Sequence, residues 1–305
     1  MKPLLLVMPG NERFAEALSE HSDTDHSLLM WRHFPDGESL VRIDADCTGR
    51  EVMLLATQSY PDQLALPMRF AAATARELGA RRVGLIAPYL GYMRQDKRFH
   101  PGESINAIHF GRFVSETVDW LVTVDPHLHR LPNLDAVYSI PARAASAMTA
   151  LAHWIRDEVA SPIVIGPDSE SAQWVERVAQ LIDVPWMVLS KTRRGDRNVE
   201  VSLPDPEAVV GRQPVLIDDI ASSGRTLIET VKHLRQQGVQ APVCAVVHGL
   251  FADRSDQLLR EAGAARVVSC NTVPHASNAI DVSAAVAAAL RALEIIPHKE
   301  DCDES

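Results

Sequence analysis

An alternation constrains this chain more than any single motif does. Nine short runs are apolar almost without interruption: LLLVM (4–8), EVMLLAT (51–57), RVGLIAP (82–88), WLVTVD (120–125), PIVIGPD (162–168), WMVLSK (186–191), PVLIDDI (214–220), VCAVVHG (243–249) and RVVSCNT (266–272). Segments with helical spacing separate several of them, at 63–80, 171–182 and 225–238. A strand with one wet face alternates apolar and polar residues, so an unbroken apolar strand needs cover on both faces. With helices interleaved, the pattern predicts an α/β fold of mostly parallel sheets flanked by helices.

Two such domains are expected, because 305 residues is about twice a common domain length. GARRVGLIAPYLGYMRQD (79–96) and GRQPVLIDDIASSGRT (211–226) each run from a glycine-containing turn through an apolar strand into a polar loop, as copies of one plan would. The sequence reading places a first domain at 1–145, a second at 146–296 and a disordered polar tail at 297–305.

Composition removes several function classes. The formal net charge of −10 argues against nucleic-acid binding, which needs a basic surface. Positive charge is local, in RQDKR (94–98) and KTRRGDR (191–197), and suits small anionic ligands. Cys47, Cys244, Cys270 and Cys302 show no metal-ligand spacing and read as reduced thiols of a cytoplasmic protein. The opening MKPLLLVMPG is too short for a signal peptide and reads as a first buried strand. The longest apolar run, 282–296, is interrupted by Arg291 and Glu294, so no membrane span is expected.

The stretch VLIDDIASSGRTLIET (215–230) carries the most chemistry. A strand here would place Asp218 and Asp219 at its carboxyl end, where open α/β sheets bind ligands. The following loop offers small residues whose N–H groups can approach a phosphate. Hydroxyls of Ser222, Ser223 and Thr226 and a helix N-terminus add to it. The two carboxylates cannot serve the phosphate; they suit hydroxyls or a magnesium ion, so the combination points to a sugar phosphate. The plainer reading is turn and capping chemistry. A P-loop is excluded, since no GxxxxGK[ST] occurs.

This stretch resembles the phosphoribosyl diphosphate signature of type I phosphoribosyltransferases and ribose-phosphate diphosphokinases. Other segments resemble the diphosphokinases specifically: FPDGES (34–39), APYLGYMRQDKRF (87–99), TVDPHLH (123–129), GPDSES (166–171), SKTRRGDR (190–197), VVHGLF (246–251) and NTVPH (271–275). The similarity spans about residues 3–290 in order, and the short RQDKRFHPGESI is closer to the archaeal form.

The resemblance implies two tandem phosphoribosyltransferase-like domains, the first on the ATP side and the second on the ribose 5-phosphate side. It implies transfer of the β,γ-diphosphoryl group of ATP to the anomeric hydroxyl of ribose 5-phosphate, giving PRPP and AMP. Lys191 and Arg193 would be the catalytic cations. Phe34, Asp36, Glu38, Arg94, Gln95 and Asp96 would bind ATP, with Phe34 stacking on adenine. Asp218, Asp219, Ser222, Ser223, Gly224, Arg225 and Thr226 would bind ribose 5-phosphate. His127 and Asp168 would hold Mg2+, or His127 would meet water or phosphate instead, while His129 reads as a solvent-facing loop residue. The Phe34–Glu38 loop would reach a neighbouring subunit, making self-association part of the site.

The chain departs from the family's bacterial members at four places. Ser222 stands for Asp, Gly224-Arg225 for Gly-Gly, Ser169-Glu170 for glycines after Asp168, and Met93 for a small residue. These leave open a non-catalytic regulatory homologue, or a transferase acting on another sugar phosphate. Joint retention of Lys191, Arg193, Arg94, Gln95, His127, Asp168, Asp218 and Asp219 favours the active diphosphokinase.

Overall fold

The structure, a computed structural model, describes residues 1–194, 198–202, 205 and 207–297, with Glu170, 190–194 and 198–202 described by their backbone alone. Contacts divide the chain into two compact units. One comprises Met1–Ser146 with the segment that begins at Ser283, and the other comprises Ala147–Val282.

The first unit contains strands β1 (Leu4–Val7), β2 (Asp25–Leu28), β3 (Met30–His33), β4 (Ser39–Arg42), β5 (Glu51–Leu55), β6 (Arg82–Ala87), β7 (Leu121–Val124) and β8 (Ala142–Ala145). Its helices are α1 (Glu12–Ser19), α2 (Pro61–Glu77) and α3 (Asn106–Thr117). Six strands form a fully parallel sheet in the order β2-β1-β5-β6-β7-β8, and β3 and β4 form a separate antiparallel hairpin.

The second unit contains α4 (Met148–Glu158), β9 (Pro162–Gly166), α5 (Ala172–Ile182), β10 (Trp186–Val188), β11 (Ser190–Arg194) and β12 (Asn198–Ser202). It continues through β13 (Gln213–Ala221), α6 (Arg225–Gln236), β14 (Val243–Gly249), α7 (Ser255–Glu261), β15 (Arg266–Cys270) and β16 (Asn278–Ile280). Its sheet is again parallel, in the order β10-β9-β13-β14-β15-β16, with β11 and β12 as the antiparallel hairpin. The two topologies are the same strand for strand, including the hairpin between the second and third sheet strands.

The nine apolar runs all form strands, because a strand buried on both faces writes itself into composition. The central strands β1, β5 and β9 are buried along their whole length. The run at 186–191 divides: Trp186–Val188 joins the sheet and Ser190 begins the hairpin. Strands β2 and β3 escaped the sequence reading because their residues, DHSL and MWRH, are largely exposed edge and hairpin positions. Inside the first unit, Gly84 is fixed by Trp120, since a Cβ there would lie 1.8 Å from the indole.

The final helix α8 (Ser283–Ala292) packs with α1, β7 and β8 of the first unit. The sequence reading assigned these residues to the second span. An alanine-rich amphipathic helix carries no mark of which sheet it covers, and Arg291 is bound by the carbonyl of His21. No helix among the described residues is long and apolar enough to cross a membrane.

Candidate active site

In the second unit the candidate residues gather at the carboxyl ends of the strands. β13 is buried from Pro214 to Ile217 and then emerges, so Asp218 and Asp219 are half-buried at its end. The backbone N–H of Asp219 donates to Asp218 Oδ1 at 3.1 Å, and that of Ile220 donates to Asp219 Oδ1 at 2.7 Å. Burial pushes the Asp218 carboxyl up to about 8, assisted by the negative charges of Asp219 and Asp168. Asp168 follows β9, half-buried, and its carbonyl accepts the Ser171 hydroxyl at 2.6 Å. Carboxylates gathered in this way are hard oxygen donors, which fit magnesium or sugar hydroxyls. On neighbouring β14 the buried Cys244 thiol is pushed up to about 12, first by burial and then by Asp218, and is inert as a nucleophile.

The loop after β13 turns sharply at Gly224, whose φ of 64° is left-handed. Helix α6 starts at the next residue with no side-chain hydrogen bond at its N-cap, so its first N–H groups are available to an anion. Ser223 and Arg225 are exposed there, while Ser222 and Thr226 are half-buried. Lys191 and Arg193 lie two apart on β11, in register with Val201 and Val199 of β12. Their side chains, that of Glu170, and residues 195–197 and 298–305 lie outside the described residues.

In the first unit, loops after β6 and β7 carry the remaining candidates. Arg94 is exposed. The Gln95 side-chain carbonyl accepts from Asn106 at the start of α3, and its backbone carbonyl accepts from Ala107 at 3.2 Å. The Asp96 side chain is wholly buried and accepts from Arg130 at 3.1 and 3.3 Å, tying the two loops together. Met93 is a core residue, with Tyr138 donating to its sulfur at 3.6 Å, which explains a large side chain there. His127 is half-buried beside exposed His129, with ring centroids 4.2 Å apart.

The β3–β4 hairpin presents Phe34, Asp36 and Glu38, all exposed, in a turn closed by Gly37 at φ 91°. Asp36 Oδ1 accepts the Glu38 N–H at 3.1 Å, and the Arg32 guanidinium covers one face of Phe34 at 4.5 Å. Sequence reasoning gave no role to His248, near the end of β14, and Thr272, just after β15, which form a buried pair. The Thr272 hydroxyl donates to the Val247 carbonyl at 2.8 Å, so it accepts from His248 Nδ1 at 2.9 Å. Polar residues ending otherwise apolar runs were the available signal.

Comparison with known proteins agrees with the two-unit fold. Residues 4–114 match the N-terminal domain of ribose phosphate pyrophosphokinase, and residues 133–286 match the phosphoribosyl transferase domain. The ribose-phosphate pyrophosphokinase of Methanopyrus kandleri is 31% identical over 95% of this chain and 99% of its own length. The chain belongs to the ribose-phosphate pyrophosphokinase family. The Methanobrevibacter smithii pyrophosphokinase is 29% identical over 92% of this chain and 98% of its own. Among solved structures, phosphoribosylpyrophosphate synthetase from Mycobacterium smegmatis superimposes with a TM-score of 0.81 at 25% identity, covering 96% of this chain and 99% of that one. The two repeated sheets are thus the paired phosphoribosyltransferase-like domains of a pyrophosphokinase. The archaeal relatives accord with the short loop at 94–105.

Proposed function

We propose that this family member transfers the β,γ-diphosphoryl group of ATP to ribose 5-phosphate in the cytoplasm, giving PRPP and AMP. The anomeric oxygen forms a bond to the β-phosphorus, the bond from that phosphorus to the α,β-bridging oxygen breaks, and AMP departs with that oxygen. The hydroxyl proton leaves to solvent or to the departing phosphate. The observation that carries the reading is the β13–α6 turn, where a left-handed glycine and uncapped helix start stand beside two carboxylates. A phosphate needs the first feature and the ribose hydroxyls the second.

Within this reading, Ser222, Ser223, Gly224, Arg225 and Thr226 bind the 5-phosphate. Asp218 and Asp219 accept from the ribose hydroxyls. Arg94 and Gln95 bind ATP, with Asp96 holding their loop through Arg130. Phe34 stacks on adenine, and the exposed turn at Asp36 and Glu38 engages ATP of a neighbouring subunit. Lys191 and Arg193 stabilise the charge that spreads over the transferred oxygens at the transition state. Magnesium, when bound, would neutralise the phosphate oxygens, with Asp168 and His127 as its proposed ligands.

The test is product identity. With magnesium, ATP and ribose 5-phosphate, purified protein should release AMP in step with PRPP. ADP as the product would indicate an ordinary kinase, and no turnover would favour a regulatory homologue.

A further inference from the structure

The turn that follows β13 is held from behind by a strap, residues 250–255. The Ala221 carbonyl accepts two backbone N–H groups, from Leu250 at 3.0 Å and from Phe251 at 2.9 Å. The next carbonyl, Ser222, accepts the Ser255 hydroxyl at 2.7 Å. In a trans peptide the C=O and the following N–H point in opposite directions. Anchoring these two carbonyls to the strap therefore turns the N–H groups of Ser222 and Ser223 to the other side of the turn. Two successive N–H groups facing one way make an anion-binding concavity.

The strap is built for that purpose at some cost. Phe251, Asp253 and Arg254 adopt φ of 43°, 54° and 60°, the left-handed region that side chains other than glycine rarely enter. Phe251 is buried and packs against the His275 ring, 4.7 Å between centroids. Ser255 itself is fully buried. Ser255 is the first residue of α7, just after its N-cap Arg254, and its hydroxyl reaches back to the Ser222 carbonyl. It also sets the room beside Gly224, where a Cβ would meet the Ser255 Cβ at 3.0 Å.

We propose that Ser255 is a positioning residue for sugar-phosphate recognition. Its hydroxyl, together with the Leu250 and Phe251 backbone, pulls the carbonyls of the turn away from the ligand and so aims the Ser222 and Ser223 N–H groups at the 5-phosphate. The assignment rests on the reading of this turn as the ribose 5-phosphate site. Without the hydroxyl the Ser222–Ser223 peptide is free to rotate, and its carbonyl then repels the phosphate it should receive.

The experiment compares wild type with Ser255→Ala and Ser255→Cys, whose side chains fill the space while donating weakly or not at all. KM for ribose 5-phosphate should rise about tenfold in both, with KM for ATP changed less than twofold. A purely structural role would lower stability or active fraction and leave the ratio of the two KM values unmoved, which overturns the assignment. An unchanged KM for ribose 5-phosphate in either folded variant overturns it too. If Ser255→Ala fails to fold, the thiol variant decides alone. Wild-type protein that neither turns over nor binds ribose 5-phosphate would instead defeat the underlying site reading, and the assignment with it.

Discussion

The two units repeat one topology yet fill the ends of equivalent strands with opposite things. β5 and β13 occupy the same place in their sheets, each following the hairpin. After β5 the chain closes on itself. The Thr57 N–H donates to Asn11 Oδ1 at 3.0 Å, and the buried Gln58 accepts from the Gly91 N–H at 3.2 Å. Helix α2 then starts with a proline, which has no N–H to give an anion. After β13 the chain presents Asp218, Asp219, a left-handed glycine and a helix start without a side-chain cap. One end ties its polar side chains into its own loops, and the other sets two carboxylates beside a glycine turn and a helix start. The fold supplies the platform, and the loop residues decide the chemistry.

The hairpins diverge in the same way. The first ends in an aromatic and two acids within five residues, Phe34 to Glu38, whereas the second carries Lys191, Arg193 and Arg194 on one strand. The largest expected effect of breaking this difference is in the second hairpin. Lys191→Ala should lower kcat by about 10²- to 10³-fold with little change in KM for ATP if, as proposed, its charge acts at the transition state. Steady-state kinetics checks this, and an effect confined to KM would remove Lys191 from that role.

Gly224→Ala should raise KM for ribose 5-phosphate and cost about 1–2 kcal/mol of stability, from the left-handed φ and the approach to Ser255. Gln58→Leu, at the equivalent end of the other unit, should cost about 1–3 kcal/mol by stranding the Gly91 N–H. It should do so without favouring one substrate's KM over the other's. Denaturant titration with paired kinetics separates the two outcomes, and a ribose 5-phosphate defect in Gln58→Leu would erase the contrast between the units.

The last contrast is a pH dependence. The Asp218 carboxyl binds its proton up to about pH 8 in the folded protein but only to about 3.8 when unfolded. Between those values the folded state holds more protons, so metal-free stability should fall as pH rises. Asp218→Asn should flatten that slope, and magnesium should reduce it in the wild type. Melting temperatures across this window check both, and parallel slopes in wild type and variant would contradict the burial argument.

Much of this was legible in the sequence, for particular reasons. Strands β1, β5, β9 and β14 are buried on both faces, so composition alone marks them. The β13 turn was legible because its glycine, hydroxyls and acids are adjacent in the chain. What stayed hidden depends on distant partners. The burial of Asp96 requires Arg130, 34 residues away, and the Ser255 hydroxyl serves a carbonyl 33 residues earlier. Edge strand β2 is polar and is a strand only because β1 pairs with it. The packing of α8 on the first unit is likewise set by tertiary contact, not by its own residues.

The proposed division of labour between the loop after β13 and the loop after β6 is most directly tested by measuring KM for both substrates in Asp219→Asn and in Arg94→Ala. The account predicts that Asp219→Asn raises KM for ribose 5-phosphate at least about tenfold with KM for ATP little changed. Arg94→Ala should do the reverse. Equal effects on both substrates in both variants, or the opposite assignment, would contradict it.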